Sequence, residues 1–245
     1  MSSQAPATPV PRWARWSPVA LVLAAHPRQA FGTALVLALV AAVTGRPLAE
    51  VGLVAATVLV GQAVIGWADD LTDRDRYARH GREHKPLAAG TLEPGTAGFA
   101  AVLAVLLLVP VSIANGLEAG AAYLASVAAA VVGDRLLHAR LLSFVPWAVS
   151  YGLLPVFLTQ GGWGGAGSGE WPAPEVVALA AALGPCVHVL LALPGLVADH
   201  EEGERSLPLR LALKLGTRRL RVVAGVVTAV VVVALAIVGR ADGLG

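Results

Sequence analysis

Apolar residues in this chain neither alternate nor keep to one helical face; they come in long unbroken runs. The runs extend approximately from Ala30 to Gly45, Leu48 to Ala68, Thr96 to Ala114, Ala119 to Gly133, Leu142 to Gln160, Pro174 to Gly195 and Leu220 to Gly239. A bilayer core ~30 Å thick takes roughly 20 apolar residues of helix. The pattern therefore predicts about seven transmembrane helices, with soft boundaries for the short first and fourth runs. Val-rich runs such as VVTAVVVVALAIV suit strands by propensity, but they are long and lack alternation, and lipid admits only helices or closed barrels. The expected fold is an all-α polytopic membrane protein. The early stretch PVALVLAA is short and is followed by HPRQA with no clear processing site. It reads as a cytoplasmic or interfacial segment, residues 1–25, ahead of a single transmembrane domain, residues 26–245.

Composition agrees: 56% of residues are hydrophobic and 14% charged, with a mean hydropathy of +0.70. Charge adds an orientation. With the N-terminus placed inside, 16 of the 18 Lys and Arg fall on the inner side, leaving only Arg46 and Arg240 outside. That bias predicts a cytoplasmic N-terminus and cytoplasmic loops after the second and sixth runs. The pI near 9.0 follows from the asymmetry and does not indicate nucleic acid, because no basic stripe is interleaved with aromatics. The single cysteine, Cys186, permits no internal disulfide and reads as a small buried hydrophobe. The stretch GGWGGAGSGEWPAPE carries no base and reads as a flexible outer connector.

The acids change the picture more. Of the 16 Asp and Glu, six follow the second run (Asp69, Asp70, Asp73, Asp75, Glu83, Glu93) and four follow the sixth (Asp199, Glu201, Glu202, Glu204). If the second helix continues, Asp69 and Asp73, and Asp70 and Asp73, stand on neighbouring turns of one face. Asp199 and Glu202 repeat the three-residue spacing. Like charges so placed repel, and a divalent cation relieves the repulsion; Mg²⁺ commonly takes one or two carboxylates and keeps positions for phosphate oxygens. Arg82, Lys85, Arg205 and Arg210 lie near the two clusters and offer donors to phosphate. The competing reading is a pair of solvated, self-paired charged loops.

The first cluster resembles the NDxxDxxxD motif of the UbiA-type intramembrane prenyltransferase family, followed by a basic residue and proline, here Lys85-Pro86. Asp69, Asp70 and Asp73 match its first three positions, Asp69 standing for the asparagine, and Tyr77 takes the place of the last aspartate. LPGLVADHEEGERSLPLRLALKLG resembles the second motif, DxxxD, and the Gly-x-Arg-x-Leu-Pro segment after it; Asp199 matches its second aspartate and Gly195 stands where the first is expected. LLSFVPWAVSYGLLPVF is similar to the family's fifth helix, and His138 lies where many relatives carry a diphosphate-binding lysine. The resemblance runs from His26 to Gly239.

What it implies is a helical bundle around a central cavity, nine helices being the family norm. It implies Mg²⁺-dependent transfer of a prenyl group from a prenyl diphosphate to an acceptor, aromatic compounds among the candidates, within the membrane. Asp69, Asp73 and Asp199 would be catalytic; Asp69, Asp70, Asp73, Asp199 and Glu202 would hold metal; and Lys85, Arg82, Arg205 and His138 would contact the diphosphate. Two alternatives stay open, a terpene cyclase on the same scaffold and a catalytically weakened prenyl-diphosphate-binding protein. A CDP-alcohol phosphotransferase is disfavoured because the DGxxAR motif is missing. Trp67, Trp147 and Tyr151 could stabilise a cation with their rings, but aromatics at span ends more often anchor at the interface. His188, inside a run, is either functional or bonded to a neighbouring helix.

Overall fold

The computed structural model describes residues 17–80, 85–162 and 170–241, and all regular structure in them is helical. Helix α1 (Ser17–Ala24) meets α2 (Pro27–Val43) at 59°. The bend has a local cause: Pro27 brings no N–H to continue the ladder, and His26 takes a left-handed backbone with φ 51°. Helix α3 (Leu48–Thr72) is followed directly by the short α4 (Arg74–Arg79), then α5 (Pro94–Ile113) and α6 (Leu117–Leu137). A 3-10 turn (Leu141–Phe144), α7 (Val145–Gly152) and α8 (Leu154–Thr159) follow, then α9 (Pro174–Ala192), α10 (Leu196–Glu201), α11 (Leu207–Leu215) and α12 (Thr217–Ala241).

Six spans are long and apolar enough to cross a membrane, and the number is seven if the bent α1–α2 pair counts as one span. The chain is an all-α, multi-pass integral membrane protein. Each apolar run corresponds to one span, with one difference: the run from Leu142 to Gln160 is not a continuous helix. Pro155 cannot donate to the ladder, and the helix is re-set between Gly152 and Leu154.

The principal core lies between α2, α3, α5, α6 and α8, where Leu37, Val54, Val58, Leu108, Tyr123 and Phe157 are buried. The Tyr123 and Phe157 rings pack with centroids 4.8 Å apart. Glycine allows the closest backbone approaches. A Cβ on Gly120 would fall 2.6 Å from the Ser112 carbonyl oxygen, and one on Gly184 would collide with the Trp147 carbonyl, so α6 packs against α5 and α9 against α7 through bare backbone. At the end of the bundle away from the acidic segments, Arg46 is buried and donates to the Leu158 carbonyl. There Asn115 donates to Thr57 Oγ1 at 2.9 Å and accepts from the Gly162 N–H at 2.9 Å. Helix α12 packs on α9 and leaves Val226, Val230, Val233 and Ile237 exposed, as a lipid-facing helix does. Cys186 differs from expectation: it is half-buried on α9, its thiol directed to the Ala182 carbonyl at 3.3 Å.

Candidate functional site

The two acidic segments, more than a hundred residues apart in sequence, meet at one end of the bundle. On the first, α3 continues past its last apolar turn: the Asp73 N–H donates to the Asp69 carbonyl at 2.9 Å, which keeps both on helical geometry. On the second, the Asp199 N–H donates to the Gly195 carbonyl at 3.0 Å, and the helix stops where Gly203 turns left-handed at φ 72°. Glu202 is therefore a helix cap rather than part of a further turn. The second segment is pinned from behind by the Arg205 N–H donating to the Ala139 carbonyl at 2.9 Å, and by Ser143 Oγ, which accepts from the Leu207 N–H at 3.2 Å and lies 3.0 Å from His188 Nε2.

Two groups of charges result. In the first, the Asp70 side chain is wholly buried; Lys85 Nζ donates to its Oδ1 at 2.6 Å and His26 Nε2 lies 2.8 Å from the same oxygen. Lys85 also stands 2.5 Å from His26 Nε2 and 4.9 Å above the Tyr77 ring. Leu87 and Leu92, buried beside Ala20 and Ala24 of α1, hold the Lys85 segment in place. Tyr77 donates its hydroxyl to Asp69 Oδ2 at 3.2 Å. In the second group, Arg76 sits among four carboxylates. It pairs with Asp199, with Glu204 at 3.1 Å, with Asp73 at 3.4 Å and with Glu202 at 3.7 Å. Burial works against the Arg76 charge, but Glu204, Asp73, Asp199 and Glu202 outweigh it and hold its pKa above the ordinary value. His138 caps α6 and lies 3.2 Å from Glu204. The hydrogen bond to Glu204 raises the His138 pKa against the opposing effect of burial. Arg79 and His80 bind Glu202 at 2.8 and 2.9 Å, and Arg79 foremost lowers its pKa.

Beneath these groups lies a cavity of about 410 Å³. Charged His26, Asp69, Arg76, Asp134, His138, Asp199 and Glu204 line it together with Gln62, Ser126, Ser150, Trp147, Tyr151 and His188 and the apolar Leu37, Val127 and Leu154; along the chain Leu37 and Tyr123 each lie eleven residues from a charged lining residue, His26 and Asp134. Seven residues of α3, ~10 Å of helix, separate Gln62 from Asp69. Among the predicted residues, Asp69, Asp199 and His138 line the cavity directly. Asp70, Asp73, Lys85 and Glu202 stand behind that wall, bonded as described, while the Arg205 side chain is exposed and contributes through its backbone. Arg82 lies outside the described residues. Trp147 and Tyr151 line the cavity rather than only anchoring at an interface, and the Trp147 ring stacks on His188 at 5.2 Å. Trp67 instead donates to the Leu21 carbonyl at 2.9 Å.

Sequence reasoning missed His26, Arg76, Asp134 and Glu204 as cavity residues. Asp134 carried a readable signal, an acid at the end of an otherwise apolar run. Arg76 carried none, since its partners come from the other end of the chain.

Mg²⁺, implied by the family resemblance, meets different surroundings in the two groups. Donor atoms of His26, Asp69 and Asp70 lie within 4.8 Å of one another, and Asp70 Oδ2 is buried with no hydrogen-bond partner among the described residues. A divalent cation fits there. Between Asp73 and Asp199 the guanidinium of Arg76 already occupies the position of the cation. Comparison of the chain with protein families, with characterised proteins and with solved structures gives no match.

Proposed function

We propose that the chain is a membrane prenyltransferase that moves a prenyl group from a prenyl diphosphate to an acceptor. The observation that carries this reading is the mixed lining of the cavity: charged groups of both acidic segments share one space with Leu37, Val127 and Leu154, which lie several turns along their helices from those segments. Such a cavity suits an amphipathic ligand with an ionic head and a hydrocarbon tail. Arg76, His138 and, by displacement from Asp70, Lys85 supply donors for diphosphate oxygens. Asp69 and Asp70, with His26, would hold the divalent cation, which when bound stabilises negative charge on the leaving diphosphate. Trp147 and Tyr151 line the same cavity, and aromatic ring faces favour a carbocation. Breaking the allylic C–O bond leaves the electron pair on the diphosphate, and an acceptor nucleophile fills the cation and then loses its proton. Following the charge bias, we place the charged end on the cytoplasmic face.

The aromatic lining favours a second reading, a cyclase in which a double bond of the same prenyl chain captures the cation. Incubation of the purified protein with allylic diphosphates of several lengths, Mg²⁺ and a panel of aromatic acceptors decides between them. The transferase reading expects prenylated acceptor. A cyclised hydrocarbon made without any acceptor assigns the cyclase, and release of no inorganic diphosphate from any substrate refutes both.

A further inference from the structure

The carboxylates of Asp73, Asp199, Glu202 and Glu204 come from two segments, and their side chains are 17%, 11%, 25% and 8% exposed. So many like charges held so close and half out of water need a cation between them. Here that cation belongs to the chain. The Arg76 guanidinium, 15% exposed, reaches all four, and its planar set of five N–H donors can serve several carboxylate oxygens at once, as a hydrated metal ion would through its coordination positions. Its placement is local in origin: α4 starts immediately after the Asp73 cap, and Arg76 is three residues on, one turn above Asp73 and facing α10. The second segment answers this arrangement. Gly195 stands at the cavity wall, one helical turn before Asp199, and presents no side chain there.

The other group is chemically different. Asp70 Oδ2 is buried and lacks a hydrogen-bond partner among the described residues, and donor atoms of His26 and Asp69 lie within 4.8 Å. The cation now nearest is the Lys85 ammonium, carried on a flexible four-carbon stem. Lys85 can be exchanged for a metal ion by rotating away, whereas Arg76 is fixed by partners on both segments.

We propose that Arg76 is a built-in replacement for a divalent cation at the junction of the two acidic segments, so that the chain takes one divalent cation, at His26, Asp69 and Asp70, and no second one. The inference deepens the proposed function and rests on it only for what the cation meets; the count of cations stands apart from it. The anionic head of a ligand would face one metal ion and one arginine rather than two metal ions.

Titration of Mn²⁺ into the metal-free, detergent-purified full chain, with free Mn²⁺ read by electron paramagnetic resonance and no diphosphate present, tests the proposal. One Mn²⁺ per chain is expected for the parent protein and for Asp199→Asn, with the same midpoint in both. Asp70→Asn should lose that ion. Arg76→Gln should gain a second, and Arg76→Lys should stay at one. Two ions, or none, in the parent would overturn the proposal, as would a weakening of about tenfold or more in Asp199→Asn. If Arg76→Gln does not fold, the parent and Asp199→Asn still decide. Because no prenyl ligand is present, failure of the prenyltransferase reading would leave this count unaffected.

Discussion

Asp70 is wholly buried and has Lys85 and His26 as its partners. Removing one member of a buried pair strands the other, at a cost of about 3–5 kcal/mol. Lys85→Met and Asp70→Asn should each lower the melting temperature in detergent strongly, and the double variant should lose much less than the sum. Additive losses in that double-mutant cycle would refute the coupling. His138 makes a pH-dependent contribution. Its pKa is raised, first by Glu204, so its stabilisation is complete below the unfolded value of about 6.5 and is lost as pH rises through the raised value. The melting-temperature gap between the parent and His138→Gln should be widest below pH ~6.5 and shrink on the alkaline side; a gap that widens with pH would contradict the assignment. At this scale, helical spacing made the clustering of Asp69, Asp70 and Asp73, and of Asp199 and Glu202, legible, but not that Asp70 turns to Lys85 and His26 while Asp73 turns to Arg76. It could not locate Arg76, whose pairing with Asp199 spans 123 residues.

Among the elements, α7 and α9 carry aromatic lining of the cavity, with Trp147 on one and His188 on the other. Their spacing is set by Gly184, where an added Cβ would collide with the Trp147 backbone. Gly184→Ala should therefore separate the two helices and destabilise the protein by about 1–3 kcal/mol, and it should loosen the Trp147–His188 stack. Thermal unfolding and the tryptophan emission of the variant check both; parental values for both would show that the approach is slack. Helix number and order were legible because lipid forces each span to be long and apolar. The breaks were less so. The bend at His26 and the interruption at Pro155 depend on whether neighbouring helices can satisfy the freed backbone groups, and hydropathy does not report that. The short α10 and α11 were hidden in a charged stretch, where polar residues obscure the apolar period.

For the whole molecule, the charged loops gather at one end, while Arg46 and Asn115 close the other. If that charged end faces the cytoplasm, single cysteines placed in 91–95 are shielded from an impermeant outside reagent, whereas cysteines in 161–169 react. Equal labelling of both would refute the orientation. The cavity is the feature on which the functional account depends, since it joins charged and apolar lining in one space. Equilibrium binding of an unreactive prenyl thiolodiphosphate, compared with inorganic diphosphate in the presence and absence of Mg²⁺, tests it most directly. Burial of each methylene is worth about 0.8 kcal/mol, so the prenyl analogue should bind at least about tenfold more tightly than inorganic diphosphate. That binding should fall on chelation of Mg²⁺ and in Asp69→Asn. Equal affinity for the two ligands, or prenyl binding indifferent to both Mg²⁺ and Asp69, would contradict the account.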